Sequence, residues 1–147
     1  MIRHVLVVGA GRLGAELASL LTERGHEVTV LDDRAELVAA VGRDVPAATV
    51  HHGPVADVVT LEAAAVRRAD VVAAVTADDA RNLAVCALAR VAFDVPRTLA
   101  RVADPATAWL YVEAMGVDVA LNQADLLAHL AVVELSADEM SAWVAPR

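Results

Sequence analysis

An apolar run that ends in closely spaced glycines constrains the fold of this chain more than any other feature. Val5–Val8 is followed by the pattern GxGxxG, which places Gly9, Gly11 and Gly14 ahead of a helical sequence. We therefore predict a strand that enters a helix through a tight turn. Such a turn leaves the first N–H groups of the helix, and the positive end of its dipole, free to bind a diphosphate.

Each glycine has its own role in this prediction. Gly9 suits the tight turn, Gly11 lets a phosphate approach the backbone, and Gly14 lets the helix lie close to the sheet. The pattern alone is weak evidence in a chain where glycine and alanine are common. The strand before it, the helix after it and an acidic residue at a suitable distance strengthen it.

Short, mostly valine-rich apolar segments alternate along the chain with stretches long enough for a helix. The segments are 5–8, 27–31, 47–51, 70–75, 97–102 and 117–121. This alternation is typical of an α/β protein with a parallel sheet. We predict a Rossmann-like, doubly wound, parallel six-stranded sheet with helices on both faces.

Helical spacing, capping residues and helix breakers predict six helices. They begin near residues 13, 34, 57, 78, 105 and 124 and end near residues 25, 42, 64, 91, 116 and 135. The last helix, 124–135, has only three polar positions, so we expect it to pack against a second subunit or a further domain. We assign residues 1–135 to one domain and 136–147 to a C-terminal tail.

Charge and composition exclude several classes of function. The formal net charge is −8 and all 12 basic residues are arginine, so we expect no nucleic-acid partner. No apolar run reaches the roughly 20 residues that span a bilayer, and no secretory signal is apparent. We therefore expect a cytoplasmic protein without direct membrane insertion. The single cysteine, Cys86, is expected to be a buried, unreactive thiol.

The second predicted strand ends at Asp32 and Asp33, and Asp32 follows Gly14 at close to the roughly 20-residue spacing at which an acid binds an adenosine ribose. A carboxylate there repels a 2′-phosphate and favours NAD or an adenine nucleotide over NADP. Arg34 complicates this preference, since its guanidinium can pair with a 2′-phosphate or cover the adenine. The alternative for Asp32 is an acidic strand end in a solvated loop.

Further candidates follow the fourth and fifth predicted strands, whose carboxyl ends share a sheet edge with the glycine turn. Thr76 offers a hydroxyl to a phosphate or ribose, and Asn82 lies one turn into the next helix. The alternative there is an aspartate N-cap with an exposed polar first turn. Arg101 either meets a phosphate or forms an ion pair with Asp79 or Asp104.

The candidate nucleotide-binding residues are Gly9, Gly11, Arg12, Leu13, Gly14, Asp32, Asp33, Thr76, Asn82 and Arg101. We predict no catalytic residue and no metal ligand. His51 and His52 are adjacent on a strand and point to opposite faces, so they do not readily share a metal ion.

Several motifs together resemble the N-terminal, or TrkA-N, domain of Trk-type potassium uptake regulators, called RCK or KTN in potassium channels and transporters. They are the glycine turn at 9–14, Asp32, the strand end at 71–79 with Asn82, and the segments 99–105 and 116–118. The resemblance covers about residues 2–135. It implies a regulatory subunit that binds NAD(H) or ATP/ADP, with phosphates at Gly9, Gly11 and Gly14 and ribose at Asp32, and that gates a membrane-bound potassium transporter or channel.

The chain departs from the family pattern after its third strand. Family members commonly carry Gly-Asp there, with the acid near the adenine, whereas this chain has Gly53-Pro54. One expected adenine contact is therefore missing. Family proteins also usually continue into a second ligand-binding domain.

The competing functional class is a small NAD-dependent oxidoreductase, or a cofactor-binding fragment of one. Hydride transfer needs a surface that holds the substrate and an acid or base within reach. The sequence shows no substrate domain and no Tyr-Lys or His-Asp pair. We therefore expect a binding protein rather than an enzyme, assembled as a homodimer or higher oligomer through helix 124–135.

Overall fold

The computed structural model describes residues 3–144, with side chains for residues 3–136. Its strands are β1 (His4–Val8), β2 (Glu27–Asp32), β3 (Thr49–His52), β4 (Val71–Ala74), β5 (Arg97–Arg101) and β6 (Val119–Leu121). Its α-helices are α1 (Arg12–Glu23), α2 (Ala35–Asp44), α3 (Val58–Ala63), α4 (Asp79–Val91) and α5 (Gln123–Val144). Short 3-10 turns lie at Val66–Arg68, Ala108–Leu110 and Glu113–Met115.

The six strands form one parallel sheet in the order β3-β2-β1-β4-β5-β6. From β1 the chain adds β2 and β3 on one side, and it then returns to add β4, β5 and β6 on the other side. The strand order therefore reverses between β1 and β4. The predicted doubly wound α/β fold is thereby confirmed. Ligands of open α/β sheets bind at the carboxyl edge, beside such a reversal.

Each face of the sheet has its own hydrophobic core, and β1 contributes to both. Val5 and Val7 pack with residues of α1 and α2, whereas Leu6 and Val8 pack with residues of α3 and α4. These four side chains are at most 5% exposed. A central parallel strand that is covered on both faces explains why its sequence is continuously apolar instead of alternating.

The helix predicted over 105–116 is wrong, because this segment forms two separate 3-10 turns. The Tyr111 side chain is buried in the core, and its hydroxyl donates to the Asp79 carbonyl of α4. Val112 then takes an extended conformation with φ −130° and ψ 165°. Asp104 and Pro105 would otherwise start a helix. It is interrupted because Tyr111 is buried against α4 and the backbone of Val112 is extended.

Helix α5 is exposed from Gln123 to Ser136, the part for which side chains are described. Asn122 caps it by accepting a hydrogen bond from the Asp125 nitrogen at 3.0 Å. Every side chain from Gln123 to Ser136 is exposed, and large apolar ones are among them: Leu126, Leu127, Leu130, Val132, Val133 and Leu135. The helix continues through 136–144, which the sequence analysis assigned to a tail; 145–147 lie outside the described residues. Within the described chain, no helix has the length and apolarity to cross a membrane.

Candidate functional site

The glycine turn joins β1 to α1 at the point where the strand order reverses. Gly9 has φ +119°, in the left-handed region, and a Cβ there would lie 2.9 Å from the Thr76 backbone nitrogen. A Cβ on Gly14 would lie 1.7 Å from the Gly9 carbonyl oxygen. The positive φ and the close backbone after β4 therefore require glycine at position 9, and the Gly9 carbonyl requires glycine at position 14.

A cleft of about 470 Å³ lies beside this turn. Five predicted site residues line it: Gly11, Arg12, Leu13, Thr76 and Arg101. The other lining residues are Glu16, Arg34, Val75, Ala77 and Gln123. A Cβ on Gly11 would approach only the Arg34 side chain, at 3.9 Å. The backbone of Gly11 is therefore accessible from the cleft, next to the first N–H groups of α1.

The charge of the cleft differs from the charge of the whole chain. The formal net charge of the protein is −8, yet the charged residues lining the cleft are three arginines and Glu16. Clustered positive charge in a concave site raises the local concentration of anions. A neighbouring cavity of about 300 Å³ shares Arg101 and Gln123 with the cleft and extends to Leu127 of α5.

Arg101 ends β5 and lines both cavities. Its Nε is buried and has no hydrogen-bond partner among residues 3–136. The alternative ion pair with Asp79 or Asp104 does not form, because Asp79 accepts hydrogen bonds from the backbone nitrogens of Ala103 and Asp104 at 2.8–3.0 Å. Asp104 itself accepts from the Ala106 nitrogen. The Arg101 guanidinium therefore forms no salt bridge between residues 3 and 136.

Asp32 does not line the cleft. Its side chain is 2% exposed, which contradicts the alternative of a solvated strand end. It accepts hydrogen bonds from the Ala10 nitrogen at 2.7 Å, from the Arg34 nitrogen at 2.8 Å and from the Arg34 guanidinium twice at 2.9 Å. Burial acts to raise the pKa of Asp32, but these hydrogen bonds outweigh it and hold the pKa at about 2.

Asp33 is also held by an arginine. Its carboxylate pairs with the Arg81 guanidinium at 2.8 Å, and its carbonyl oxygen lies 3.0 Å from Nε2 of His52. Arg81 belongs to the first turn of α4. The ion pair therefore links the loop after β2 to the helix after β4, two elements on opposite sides of β1.

Thr76 and Asn82 bond to each other. Asn82 Oδ1 accepts from the Thr76 nitrogen at 2.9 Å and from its hydroxyl at 2.7 Å, while Asn82 Nδ2 donates to the carbonyl oxygens of Thr76 and Arg101. Asp78 is the N-cap, accepting from the Arg81 nitrogen at 3.0 Å. However, Asn82 is fully buried, so the first turn is not uniformly exposed. Asn82 positions the cleft wall and does not line the cleft.

The structure adds residues that sequence reasoning did not assign to the site. Glu16 lies four residues after Arg12 on α1, so helical spacing alone identifies it as a neighbour. Gln123 has no comparable signal, because its place at the cleft depends on where β6 ends and α5 begins. Arg81 has no such signal either, because its partner Asp33 is far away in the sequence.

Comparison with known proteins gives the chain a family context. A family model described as the TrkA-N domain matches residues 5–123. The chain is 37% identical over 126 residues to a Mycobacterium tuberculosis protein named Trk system potassium uptake protein TrkA. This match covers 86% of the chain and 56% of that protein, so the chain spans about half the length of the curated relatives it matches.

Solved structures share the fold. The TrkA-N domain of the inner membrane protein ybaL from Escherichia coli has a TM-score of 0.79 at 19% identity, covering 92% of this chain and 97% of its own. The Shewanella denitrificans Kef CTD in AMP-bound form has 0.75 at 24%, covering 91% and 80%. The GsuK channel bound to NAD has 0.70 at 21%, covering 82% and 21%.

Proposed function

This chain belongs to the TrkA-N domain family, and from that membership we propose that it is the nucleotide-binding part of a potassium transport regulator. It senses NAD(H) or an adenine nucleotide such as ATP or ADP, and it gates a potassium transporter or channel in the membrane. The M. tuberculosis relative is named a potassium uptake protein, which supports a partner in potassium transport. The GsuK channel is bound to NAD, which supports a nucleotide ligand.

The cationic cleft beside the glycine turn is the observation that carries the proposal. Gly11 presents open backbone, and Arg12 and Arg101 line the same cleft. A nucleotide diphosphate would supply the negative charge that these residues suit, with Gly11 and the start of α1 binding through N–H groups. An anion in the cleft would offer a partner to the Arg101 guanidinium, whose Nε is buried with no hydrogen-bond partner among residues 3–136.

Gating requires that the nucleotide bind two arrangements of the protein with different affinity. Helix α5 is the element we assign to this coupling, because its first residue, Gln123, lines the cleft. The exposed Leu126, Leu130 and Val133 recur at helical spacing along α5. We propose that they pack against a second copy of the chain, as a homodimer or higher oligomer on the cytoplasmic side of the membrane.

The proposed activity is binding without a chemical step. Arginine stays protonated in proteins and does not act as an acid or base, and arginines are the main charged groups of the cleft. An oxidoreductase would need a proton-transferring residue and a surface that holds a substrate. The lining residues favour recognition of an anion over that chemistry.

The test compares thermal unfolding with and without millimolar NADH, NAD, ATP or ADP in two glycine variants. Gly11→Ala adds a Cβ whose only neighbour is the Arg34 side chain, at an ordinary contact distance of 3.9 Å, so we expect the fold to be retained and phosphate approach to be blocked. Gly42→Ala is the matched control on α2, where a Cβ would make only an ordinary contact with Val50. We expect nucleotide to raise the melting temperature of the original chain and of Gly42→Ala, and to have little effect on Gly11→Ala. Flat curves for the original chain with all four nucleotides would refute the proposal.

A further inference from the structure

The Asp32 carboxylate, to which the family resemblance assigns the ribose, already accepts hydrogen bonds from the Arg34 guanidinium. The guanidinium donates through Nε to one carboxylate oxygen and through its terminal nitrogen to the other, both at 2.9 Å. A ribose diol would donate two hydrogen bonds to the same oxygens. The two donors therefore compete for one acceptor group.

The position of Arg34 also separates Asp32 from the cleft. Arg34 is among the residues that line the cleft, whereas Asp32 is not. The terminal nitrogen of Arg34 lies 3.9 Å from the point where a Cβ on Gly11 would stand. The guanidinium thus lies between the open backbone of the glycine turn and the carboxylate behind it.

The two partners differ in their freedom to move. The Asp32 side chain is 2% exposed and is also held by the Ala10 nitrogen, whereas the Arg34 side chain is 46% exposed. A ligand can therefore displace the guanidinium while the carboxylate stays in place. The displaced guanidinium has the Asp33 carboxylate nearby, at 4.0 Å from its Nε.

We propose that Arg34 is a built-in competitor for the ribose and the residue that sets nucleotide preference at this site. The inference rests on the proposed function, since it assumes that a nucleotide binds at the glycine turn. A nucleotide with an unmodified ribose breaks the Arg34–Asp32 pair and offers Arg34 no new anion at that point. A 2′-phosphate offers the displaced guanidinium a replacement partner.

Titration calorimetry of Arg34→Ala with NADH, AMP and NADPH tests the inference. We expect the variant to bind NADH and AMP about three- to tenfold more tightly, because the competing charge-assisted hydrogen bonds are gone. The gain for NADPH should be smaller or should become a loss. Arg43→Ala removes an equal charge from an exposed position on the last turn of α2 and should leave all three affinities unchanged.

The possible results separate this inference from the proposed function. If the original chain binds NADH but Arg34→Ala binds it equally or more weakly, Arg34 is a ligand contact and the inference is wrong. An equal gain for NADH and NADPH would also overturn the assignment of preference. If neither protein binds any nucleotide, the proposed function fails and this inference with it. Should Arg34→Ala not fold, Arg34→Gln keeps an amide donor and serves the same comparison.

Discussion

Two sets of residues surround the cleft, and they differ in what satisfies their polar groups. Asp32, Thr76 and Asn82 are buried and bond to protein neighbours; we call them the fastened residues. Gly11, Arg12 and Arg101 face the cleft; we call them the free residues. Between residues 3 and 136, no salt bridge engages Arg12 or Arg101. The fastened residues hold the walls of the cleft, and the free residues are those that we propose contact an anion.

The fastened residues also hold the backbone around the free ones. Asn82 donates to the carbonyl oxygen of Arg101 at 2.9 Å, and Asp32 accepts from the nitrogen of Ala10, next to Gly11. Substitution in the two sets should therefore have different consequences. Changing a fastened residue should reduce stability, whereas changing a free residue should reduce affinity.

The largest expected effect is the loss of stability in Asn82→Ala. The substitution removes the buried partner of the Thr76 nitrogen and of the Arg101 carbonyl. Buried polar groups left unsatisfied cost about 1–3 kcal/mol each, and we expect a total loss of about 3 kcal/mol. Urea unfolding measures it.

Asn122→Ala is the matched control for that experiment. Asn122 also accepts a hydrogen bond from a backbone nitrogen, but it is only half-buried and its hydrogen bond, at the start of α5, is exposed. Its loss should cost about 1 kcal/mol or less. Equal losses in the two variants would show that Asn82 is not a fastening residue, and the distinction between the two sets would fail.

The next largest effect is that the free energy of unfolding falls at low pH as Asp32 becomes protonated. Its folded-state pKa of about 2 lies below the ordinary value of 3.8. Its contribution to stability is therefore fully present above about pH 4 and is lost as the pH falls through 2, with a size on the order of 2 kcal/mol. Unfolding free energies of the original chain and of Asp32→Asn, measured from pH 5 to pH 2, should converge as the pH falls. A constant difference would contradict the assignment.

The sheet was predictable from the sequence because parallel strands covered on both faces need continuous apolar segments, and 5–8 is such a segment. The glycine turn was predictable because local geometry at Gly9 and Gly14 admits no side chain. The missing helix at 105–116 was not predictable, since Tyr111 is drawn inward by a long-range contact with α4. Local capping signals do not contain that contact.

The same division applies to the candidate site. Sequence spacing made Asp32 a candidate, and the positions of Thr76, Asn82 and Arg101 after predicted strands made them candidates. Spacing did not reveal that Arg34 covers Asp32, or that Asn82 faces inward, since both depend on side-chain partners. Residue identity therefore indicated where the site lies, and packing decided which of its residues are fastened and which are free.

The smallest of these effects, in free energy, is expected at Arg101. Arg101→Ala should weaken ATP binding about tenfold, or 1.4 kcal/mol, through loss of one charge-assisted contact. Its unfolding free energy should stay within about 0.5 kcal/mol, since Arg101 has no salt bridge to lose between residues 3 and 136. Arg97→Ala is the control, because Arg97 is exposed at the opposite end of β5. The affinity of this variant for ATP should equal that of the original chain. If Arg101→Ala lost stability but not affinity, Arg101 would belong with the fastened residues, and the proposed function would lose one of its anion contacts.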